Sequence, residues 1–333
     1  MENINCYHAV NLRKMKKISL QPHTHPNTYY TPFQQGLSDC TLCPRKCHVD
    51  RTAGQTGFCG QSDRIMAARA ALHFWEEPCL SGVNGSGAVF FSGCNLRCIY
   101  CQNHTIVQGQ NGKEISVERL SEIFLELQEK QAHNINLVTP THYVPQIINA
   151  LQTAKDNGLA IPVVYNTSGY ENVDTLKRLE GLIDIYLPDL KYHDSALSAR
   201  YSNAPDYFVK ATAAISEMLR QTGRPVFVDG EDSLMLKGVI VRHLLLPGCE
   251  ADSRYLIRYL HETYRNDIYV SIMNQYTPMP NVADHPSLNC RISSEEYDRI
   301  VDYAIHIGIE NGFIQEGETA SESFIPPFDC EGI

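Results

Sequence analysis

Three cysteines stand in one short run, Cys94-x3-Cys98-x2-Cys101, inside Phe91-Ser-Gly-Cys-Asn-Leu-Arg-Cys-Ile-Tyr-Cys-Gln-Asn103. A loop that gathers three thiolates can hold three irons of a cubic [4Fe–4S] cluster, which ordinarily takes four cysteines. The fourth iron is then open to a ligand that is not protein. A long apolar stretch, 87–92, leads into the loop as a strand would, and Tyr100 lies just before the third cysteine. The competing readings are a zinc knuckle or reduced thiols packed in a core. Zinc sites usually come as paired Cys-x2-Cys units with a fourth ligand at a regular distance. No fourth cysteine or histidine fits close by, since His104 is too near in sequence to reach round. The spacing favours the cluster.

Composition bounds the setting. With 333 residues and 43% hydrophobic content, the chain can bury one large core plus a small appendage. Its net charge is −10, from 28 basic and 38 acidic residues, and only Lys14, Lys16 and Lys17 resemble a basic block. That balance argues against a nucleic-acid partner. No stretch approaches the roughly 20 apolar residues of a membrane helix, and the N-terminus lacks the apolar core of a signal peptide. Twelve cysteines without an export signal point to a reducing cytoplasm, where clustered thiols mean metal more often than disulfides. The expectation is a soluble, cytoplasmic metalloprotein with no membrane partner.

Residues 1–35 carry no hydrophobic period and hold Pro22, Pro26 and Pro32; they read as an irregular arm, with His23 and His25 as surface residues. Residues 36–80 read as a cysteine-rich appendage. Cys40-x2-Cys43-Pro-Arg-Lys-Cys47, followed by Arg51, Gly54, Gly57 and Cys59, offers four thiolates with glycines where the chain must turn tightly. Four cysteines close a coordination shell, so this second metal centre is either a structural zinc or an auxiliary iron–sulfur cluster. The stretch has too few apolar residues to fold alone, and a metal would supply the missing stability. Cys6, Cys79, Cys249, Cys290 and Cys330 stand apart as isolated thiols. Gly82-x2-Gly85-x-Gly87 precedes a strand, whereas a phosphate loop follows one; Asn84-Gly85 is read as a hairpin turn.

From residue 87 onward strand and helix patterns alternate. Strands are expected over 87–92, 134–139, 161–166, 183–189, 238–246 and 268–273. Leu120, Ile123, Phe124 and Leu127 mark one face of a helix over 116–131, and Val144, Ile147, Ile148 and Leu151 mark the next. The last helix opens on the capping-box pair Ser293 and Glu296 and stops near Gly308. Near-continuous apolar strands alternating with helices imply a parallel sheet covered by helices. Six such units make an α/β fold, a partial (β/α)6 TIM-like barrel over 81–316, followed by a tail, 317–333, with no period. In such sheets ligands bind at the C-terminal strand ends.

The three-cysteine loop after the first strand resembles that of the radical S-adenosylmethionine (SAM) superfamily, whose open iron chelates the amino and carboxylate groups of SAM. The resemblance implies the partial barrel independently and turns the strand ends into SAM-site candidates. Tyr100 would lie near SAM, its ring suited to the adenine. The second strand ends in Val138-Thr139-Pro-Thr-His142, where many radical SAM enzymes carry Gly-Gly-Glu. Thr139 puts a hydroxyl in place of the carboxylate that holds SAM's amino group. The third ends in Asn166-Thr167-Ser168-Gly169-Tyr170, a polar run suited to a ribose or carboxylate. The fourth ends in Asp189-Leu-Lys191, with Lys191 assigned to the SAM carboxylate. The fifth holds Arg242, a charge that is costly inside so apolar a strand unless paired, and therefore expected to face an anion inside the barrel. His243 faces the other way, as a satisfied packing histidine.

The motifs around Cys94–Asn103, Asn166–Tyr170, Asp189–Lys191 and Arg242…Gly248 occur in the same order as in pyruvate formate-lyase-activating enzymes. There the matching Asn, Thr, Asp, Lys and Arg positions contact SAM or a nearby monovalent cation. Here these are Asn103, Thr167, Asp189, Lys191 and Arg242; Asn166 stands where the relative has aspartate, which counts against the cation. With Cys40–Cys59, Thr139–Tyr143 and Ser271–Pro278 the chain looks like an uncharacterised subfamily of activase homologues over residues 36–316. The resemblance implies a [4Fe–4S] cluster on Cys94, Cys98 and Cys101, SAM as cofactor, and a low-potential flavodoxin- or ferredoxin-type electron donor. It further implies hydrogen abstraction from a glycine of a partner polypeptide. The alternatives are an enzyme modifying a peptide or small molecule with an auxiliary cluster at Cys40–Cys59, and a non-catalytic iron–sulfur carrier or scaffold.

Overall fold

The computed structural model describes residues 7–10, 36–109, 111–228, 233–315 and 325–333. Among the described residues eleven strands form one sheet: β1 (Tyr7–Val10), β2 (Ile65–His73), β3 (Ser86–Phe91), β4 (Lys113–Ile115), β5 (Ile135–Val138), β6 (Val163–Thr167), β7 (Ile185–Pro188), β8 (Val226–Phe227), β9 (Met235–Leu244), β10 (Tyr269–Met273) and β11 (Gly312–Gln315). The helices are α1 (Pro78–Ser81), α2 (His104–Val107), α3 (Val117–Glu129), α4 (Val144–Asp156), α5 (Val173–Lys177), α6 (Ser195–Ser202), α7 (Tyr207–Thr222), α8 (Glu250–Tyr264) and α9 (Ser294–His306). The sheet runs β1-β11-β10-β9-β7-β6-β5-β3-β2-β4, with β8 attached to β9. From β3 to β11 the neighbours are parallel, while β2, β4 and β1 join antiparallel at the two edges.

All six expected strands are present, and α3, α4, α5, the α6–α7 pair, α8 and α9 cross between them and β11. This is an α/β fold of the partial TIM-barrel type, and β11 adds a seventh parallel strand to the six expected. Helices on the outer face leave the strands buried on both sides, and β3, β5, β7 and β10 are buried along their whole length. On α3, Leu120, Ile123, Phe124 and Leu127 are buried, and on α4 Ile147, Ile148 and Leu151 are buried in the same core. Each such side chain contributes about 2 kcal/mol of burial. Ser116 caps α3 by accepting from the Arg119 amide, and Ser293 and Glu296 complete the capping box of α9.

Three expectations are corrected here. β2 was expected to lie within the appendage of residues 36–80, yet residues 65–73 belong to the main sheet. Its Ile-Met-Ala-Ala-Arg-Ala-Ala-Leu-His run carries four alanines, the best helix former. Pairing with β3 and β4, and burial of Ala67, Ala68 and Ala70, override that propensity. Asn84-Gly85 is not a two-residue hairpin turn. The β2–β3 connection spans residues 74–85 and contains α1, and the Gly85 amide closes the helix end on the Ser81 carbonyl. Finally, residues 7–10 inside the expected irregular arm form β1 against β11; Cys6, the Lys14–Lys17 run, the three prolines and the histidine pair lie outside the described residues. Residues 325–333 dock along β2, through Cys330 N–H to the Ala68 carbonyl and Ala70 N–H to the Glu331 carbonyl, with Arg69 paired to Asp329 and Glu331. Among the described residues no helix is long and apolar enough to cross a membrane.

Candidate active site at the strand ends

A cavity of about 180 Å³ opens at the C-terminal strand ends and is lined by Cys94, Cys98, Cys101, Tyr100, Asn103, Thr139, Asn166, Thr167, Asp189, Lys191 and Arg242. Every residue singled out after strands β3, β5, β6, β7 and β9 therefore faces one space. Gly93 makes the turn out of β3 possible. It sits at φ +88°, and a Cβ there would meet the Cys59 carbonyl oxygen at 2.7 Å. Arg97, at φ +54°, bends the loop again between Cys94 and Cys98. The Ile99 amide donates to the Tyr201 carbonyl at 2.9 Å and ties the loop to the end of α6.

Hydrogen-bond donors already face all three sulfurs, the Asn103 backbone amide serving Cys101. The Leu96 amide points at Cys94 Sγ (3.3 Å), and the Ser202 hydroxyl donates to Cys98 Sγ (3.0 Å). Such bonds stabilise a thiolate and tune a cluster bound to it. Burial pushes the Cys94 thiol above its ordinary range and the Cys101 thiol well above it. Ligation by a metal overcomes that cost, because a coordinated thiol loses its proton. Burial also disfavours a charge on Lys191, but Asp189 beside it and the thiols of Cys98 and Cys101 reverse the effect and raise its pKa. Lys191 Nζ lies 2.6 Å from Asp189 Oδ2, both groups largely buried.

Several polar atoms in the wall are buried without a partner: Asn103 Oδ1, Ser168 Oγ and Thr277 Oγ1. Buried groups of this kind are costly unless something satisfies them, so the wall suits a polar ligand. Thr139 adopts φ +58°, a left-handed conformation that β-branched residues rarely take and that clusters at functional sites. Its amide donates to the Asn166 carbonyl at 2.9 Å, joining the ends of β5 and β6. Tyr100 is held rigid, accepting from Tyr192 OH at 2.6 Å and meeting Tyr192 and Tyr276 edge-on. Thr167 lines the cavity, but its hydroxyl donates to Glu171 and accepts from the Gly169 amide. His243 is satisfied as expected, between the Leu190 carbonyl and Ser253 Oγ.

Arg242 faces an anion inside the barrel, and that anion belongs to the protein. Its guanidinium donates to Glu77 through Nε (2.8 Å) and Nη2 (2.6 Å), and to Glu76 through Nη2. Glu77 is fully buried; Glu76 lines the cavity and also accepts from Asn136 Nδ2 (2.8 Å) and Asn166 Nδ2 (3.4 Å). Burial opposes the charge of Glu76, yet Arg242 and His73 lower its pKa. The sequence reading missed His73, at the end of β2, and Trp75, Glu76 and Glu77 on the β2–β3 connection; the first three line the cavity, brought there by the antiparallel return of β2, and Glu77 stands behind Arg242. The adjacent acidic pair before Pro78 was the available signal. Ser168 belonged to a recognised polar run without being singled out, and Thr277 carried no signal of its own.

Cys40, Cys43, Cys47 and Cys59 do not line the cavity. They lie on a knuckle in which the His48 amide donates to the Cys40 carbonyl and the Lys46 amide to the Cys43 carbonyl, with left-handed Lys46 and His48. The Phe58 amide points at Cys47 Sγ (3.3 Å), and Gly57 leaves room for that sulfur. Burial pushes the Cys43 thiol up to about 12. Among the described residues no three His, Cys, Asp or Glu side chains are already drawn together as the ligand set of a single metal ion.

Residues 88–238 match the family model of the radical SAM superfamily. The matched segment runs from β3 into β9, and proteins of that superfamily use a [4Fe–4S] cluster and SAM. Among relatives, the uncharacterised protein MJ0674 of Methanocaldococcus jannaschii is 27% identical over 280 residues, covering 80% of this chain and 75% of that protein. Pyruvate formate-lyase-activating enzyme of Clostridium pasteurianum is 24% identical over 176 residues, covering 49% of this chain and 73% of that enzyme. Among solved structures, SuiB of Streptococcus suis bound to S-adenosylmethionine matches 69% of this chain and 52% of its own at 14% identity and a TM-score of 0.47. SuiB bound to the precursor peptide SuiA matches 68% and 47% at 13% identity, with a TM-score of 0.47. The chain thus spans about half the length of these solved proteins.

Proposed function

We propose that the protein is a radical SAM enzyme in which Cys94, Cys98 and Cys101 hold the [4Fe–4S] cluster and the cavity beside them holds SAM. The observation that carries this reading is one cavity lined together by the three thiols and by the unpartnered Asn103 Oδ1, Ser168 Oγ and Thr277 Oγ1. A cluster held there would supply the electron for reductive cleavage of SAM to methionine and a hydrogen-abstracting 5′-deoxyadenosyl radical. The protein's part is orientation and exclusion of water. Lys191, held by Asp189, presents a cation for the SAM carboxylate. Tyr100, locked by Tyr192 and Tyr276, offers a ring edge for the adenine side. The backbone at left-handed Thr139 takes the place of the carboxylate that other radical SAM enzymes carry there, with Asn166 and Thr167 beside it.

The likeness to pyruvate formate-lyase-activating enzyme supports a glycine of a partner polypeptide as substrate and a flavodoxin- or ferredoxin-type donor as reductant. Cys40, Cys43, Cys47 and Cys59 support a second centre, iron–sulfur or zinc, in a cytoplasmic setting that keeps thiols reduced. A peptide- or small-molecule-modifying reaction is the second reading, favoured by that extra centre. The test is low-temperature EPR of the anaerobically reconstituted, reduced protein with and without SAM. A cluster signal that changes on adding SAM is expected, together with loss of 5′-deoxyadenosine formation in Cys98→Ala. A well-populated signal indifferent to SAM would leave a carrier or scaffold, and an active Cys98→Ala protein would sink the assignment.

A further inference from the structure

The cysteine knuckle of residues 40–59 touches the Cys94–Cys101 loop at alternate residues on either side of Cys94. The Cys59 carbonyl lies where a Cβ on Gly93 would be, 2.7 Å away. Arg45, between Cys43 and Cys47, donates through Nε to the Asn95 carbonyl at 2.8 Å. Phe58, next to Cys59, meets two guanidinium groups, with Arg45 3.9 Å and Arg97 5.1 Å from its ring centre. Gly60 leaves space for the same Arg97, whose Nη2 would lie 2.9 Å from a Cβ there.

Arg45 also grips the other support of the loop. Its remaining guanidinium nitrogens donate to the carbonyls of Ser202 (3.0 Å), the last residue of α6, and of Asn203, which caps it. A cation on these carbonyls satisfies groups a helix end leaves open and complements its dipole. The same turn holds the cysteine loop, through Ser202 Oγ to Cys98 Sγ (3.0 Å) and the Ile99 amide to the Tyr201 carbonyl (2.9 Å). One side chain rooted between two cysteines of the knuckle therefore fixes the residue after Cys94 and the hydroxyl that faces Cys98. Its partners are three carbonyls and the faces of Phe58 and Tyr170, so no carboxylate in this set cancels its charge. A fixed cation beside an iron–sulfur site makes electron uptake easier, as do donors to its sulfurs.

We propose, resting on the reading above, that Arg45 is a positioning residue coupling the Cys40/Cys43/Cys47/Cys59 centre to the SAM cluster. Metal loading of the knuckle orders the Cys43–Cys47 turn, and through Arg45 sets the geometry and reduction potential of the cluster on Cys94, Cys98 and Cys101. A helix-end carbonyl grip needs the planar fork of arginine, so lysine should replace it only in part.

The test uses the full chain, anaerobically reconstituted, with the midpoint potential and EPR line shape of the SAM-responsive cluster as readouts independent of turnover. Arg45→Met keeps the apolar stem over Phe58 and removes the fork; it should shift the potential negative and broaden the signal. Arg45→Lys should recover part of the shift. Cys43→Ser, which breaks the knuckle centre, should shift the potential in the same direction, and Arg45→Met combined with Cys43→Ser should shift it no further. An unchanged potential and line shape in Arg45→Met would overturn the proposal. So would Cys43→Ser and Arg45→Met shifts that simply add. A wild-type protein with no SAM-responsive signal would defeat the enzymatic reading itself, which is a distinguishable result. If Arg45→Met does not fold, Arg45→Lys decides alone: a wild-type potential in that variant, with its charge kept but its fork lost, refutes positioning through the fork.

Discussion

Replacing Glu77 by alanine should be among the most damaging single changes outside the apolar core. Glu77 is fully buried, and its two oxygens take the Nε and Nη2 hydrogens of Arg242 at 2.8 and 2.6 Å. Arg242 is itself only 9% exposed, so water cannot replace the lost partner. Removing one member of a buried, hydrogen-bonded ion pair costs about 3–5 kcal/mol, since the other charge stays behind without full compensation. Glu76→Ala differs, because Arg242 keeps both bonds to Glu77 and loses one charge-assisted bond; the expected cost is about 1.5–3 kcal/mol. Urea unfolding followed by circular dichroism measures both. With a slope of roughly 3 kcal/mol per molar, Glu77→Ala should lower the midpoint by about 1–2 M without changing the slope. A Glu77→Met/Arg242→Met double variant should be more stable than Glu77→Ala, because it leaves no buried guanidinium behind. Equal losses in Glu76→Ala and Glu77→Ala, or a Glu77→Ala cost below about 1 kcal/mol, would refute the bidentate pair as the anchor of Arg242.

Two further outcomes follow from buried groups near the cysteine loop. His142, held near pKa 3 by burial and by the Arg51 guanidinium, donates from Nε2 of its neutral ring to the Ser92 carbonyl. The unfolded chain takes up that proton near pH 6.5 while the folded one does not, so stability falls between about pH 6.5 and 3, by about 1.4 kcal/mol per unit at most. The stability gap between wild type and His142→Gln, measured by urea unfolding, should narrow as pH drops from 7.5 to 4.5; a constant gap would rule this out. Thr139→Gly should stabilise the protein by about 0.5–1 kcal/mol, since glycine adopts the left-handed conformation without the steric cost a β-branched residue carries. A loss of stability in Thr139→Gly would show that the threonine side chain contributes more than its backbone strain costs.

What the amino-acid sequence determined by itself is local and periodic. Three cysteines on a strand-end loop, near-continuous apolar strands and a 3.6-residue period in α3 and α4 specify a parallel sheet with helices outside. Side-chain alternation then places Asp189, Lys191 and Arg242 on its inner, cavity-lining face. Those signals survive in the chain because each depends on neighbours within one element. The tertiary structure alone decided the partners of the buried charges. Arg242 looks from sequence like an anion receptor, and nothing near it in the chain reveals Glu76 and Glu77, some 165 residues away. Alanine-rich β2, placed by sequence in the cysteine-rich appendage, is a strand of the main sheet because pairing with β3 and burial outweigh about half a kilocalorie of helix propensity per residue. Arg45 looks like a solvated residue between cysteines until the knuckle docks on α6. Long-range packing chooses such partners, because desolvating a charge costs more than any local preference and only a distant complementary group can offset it.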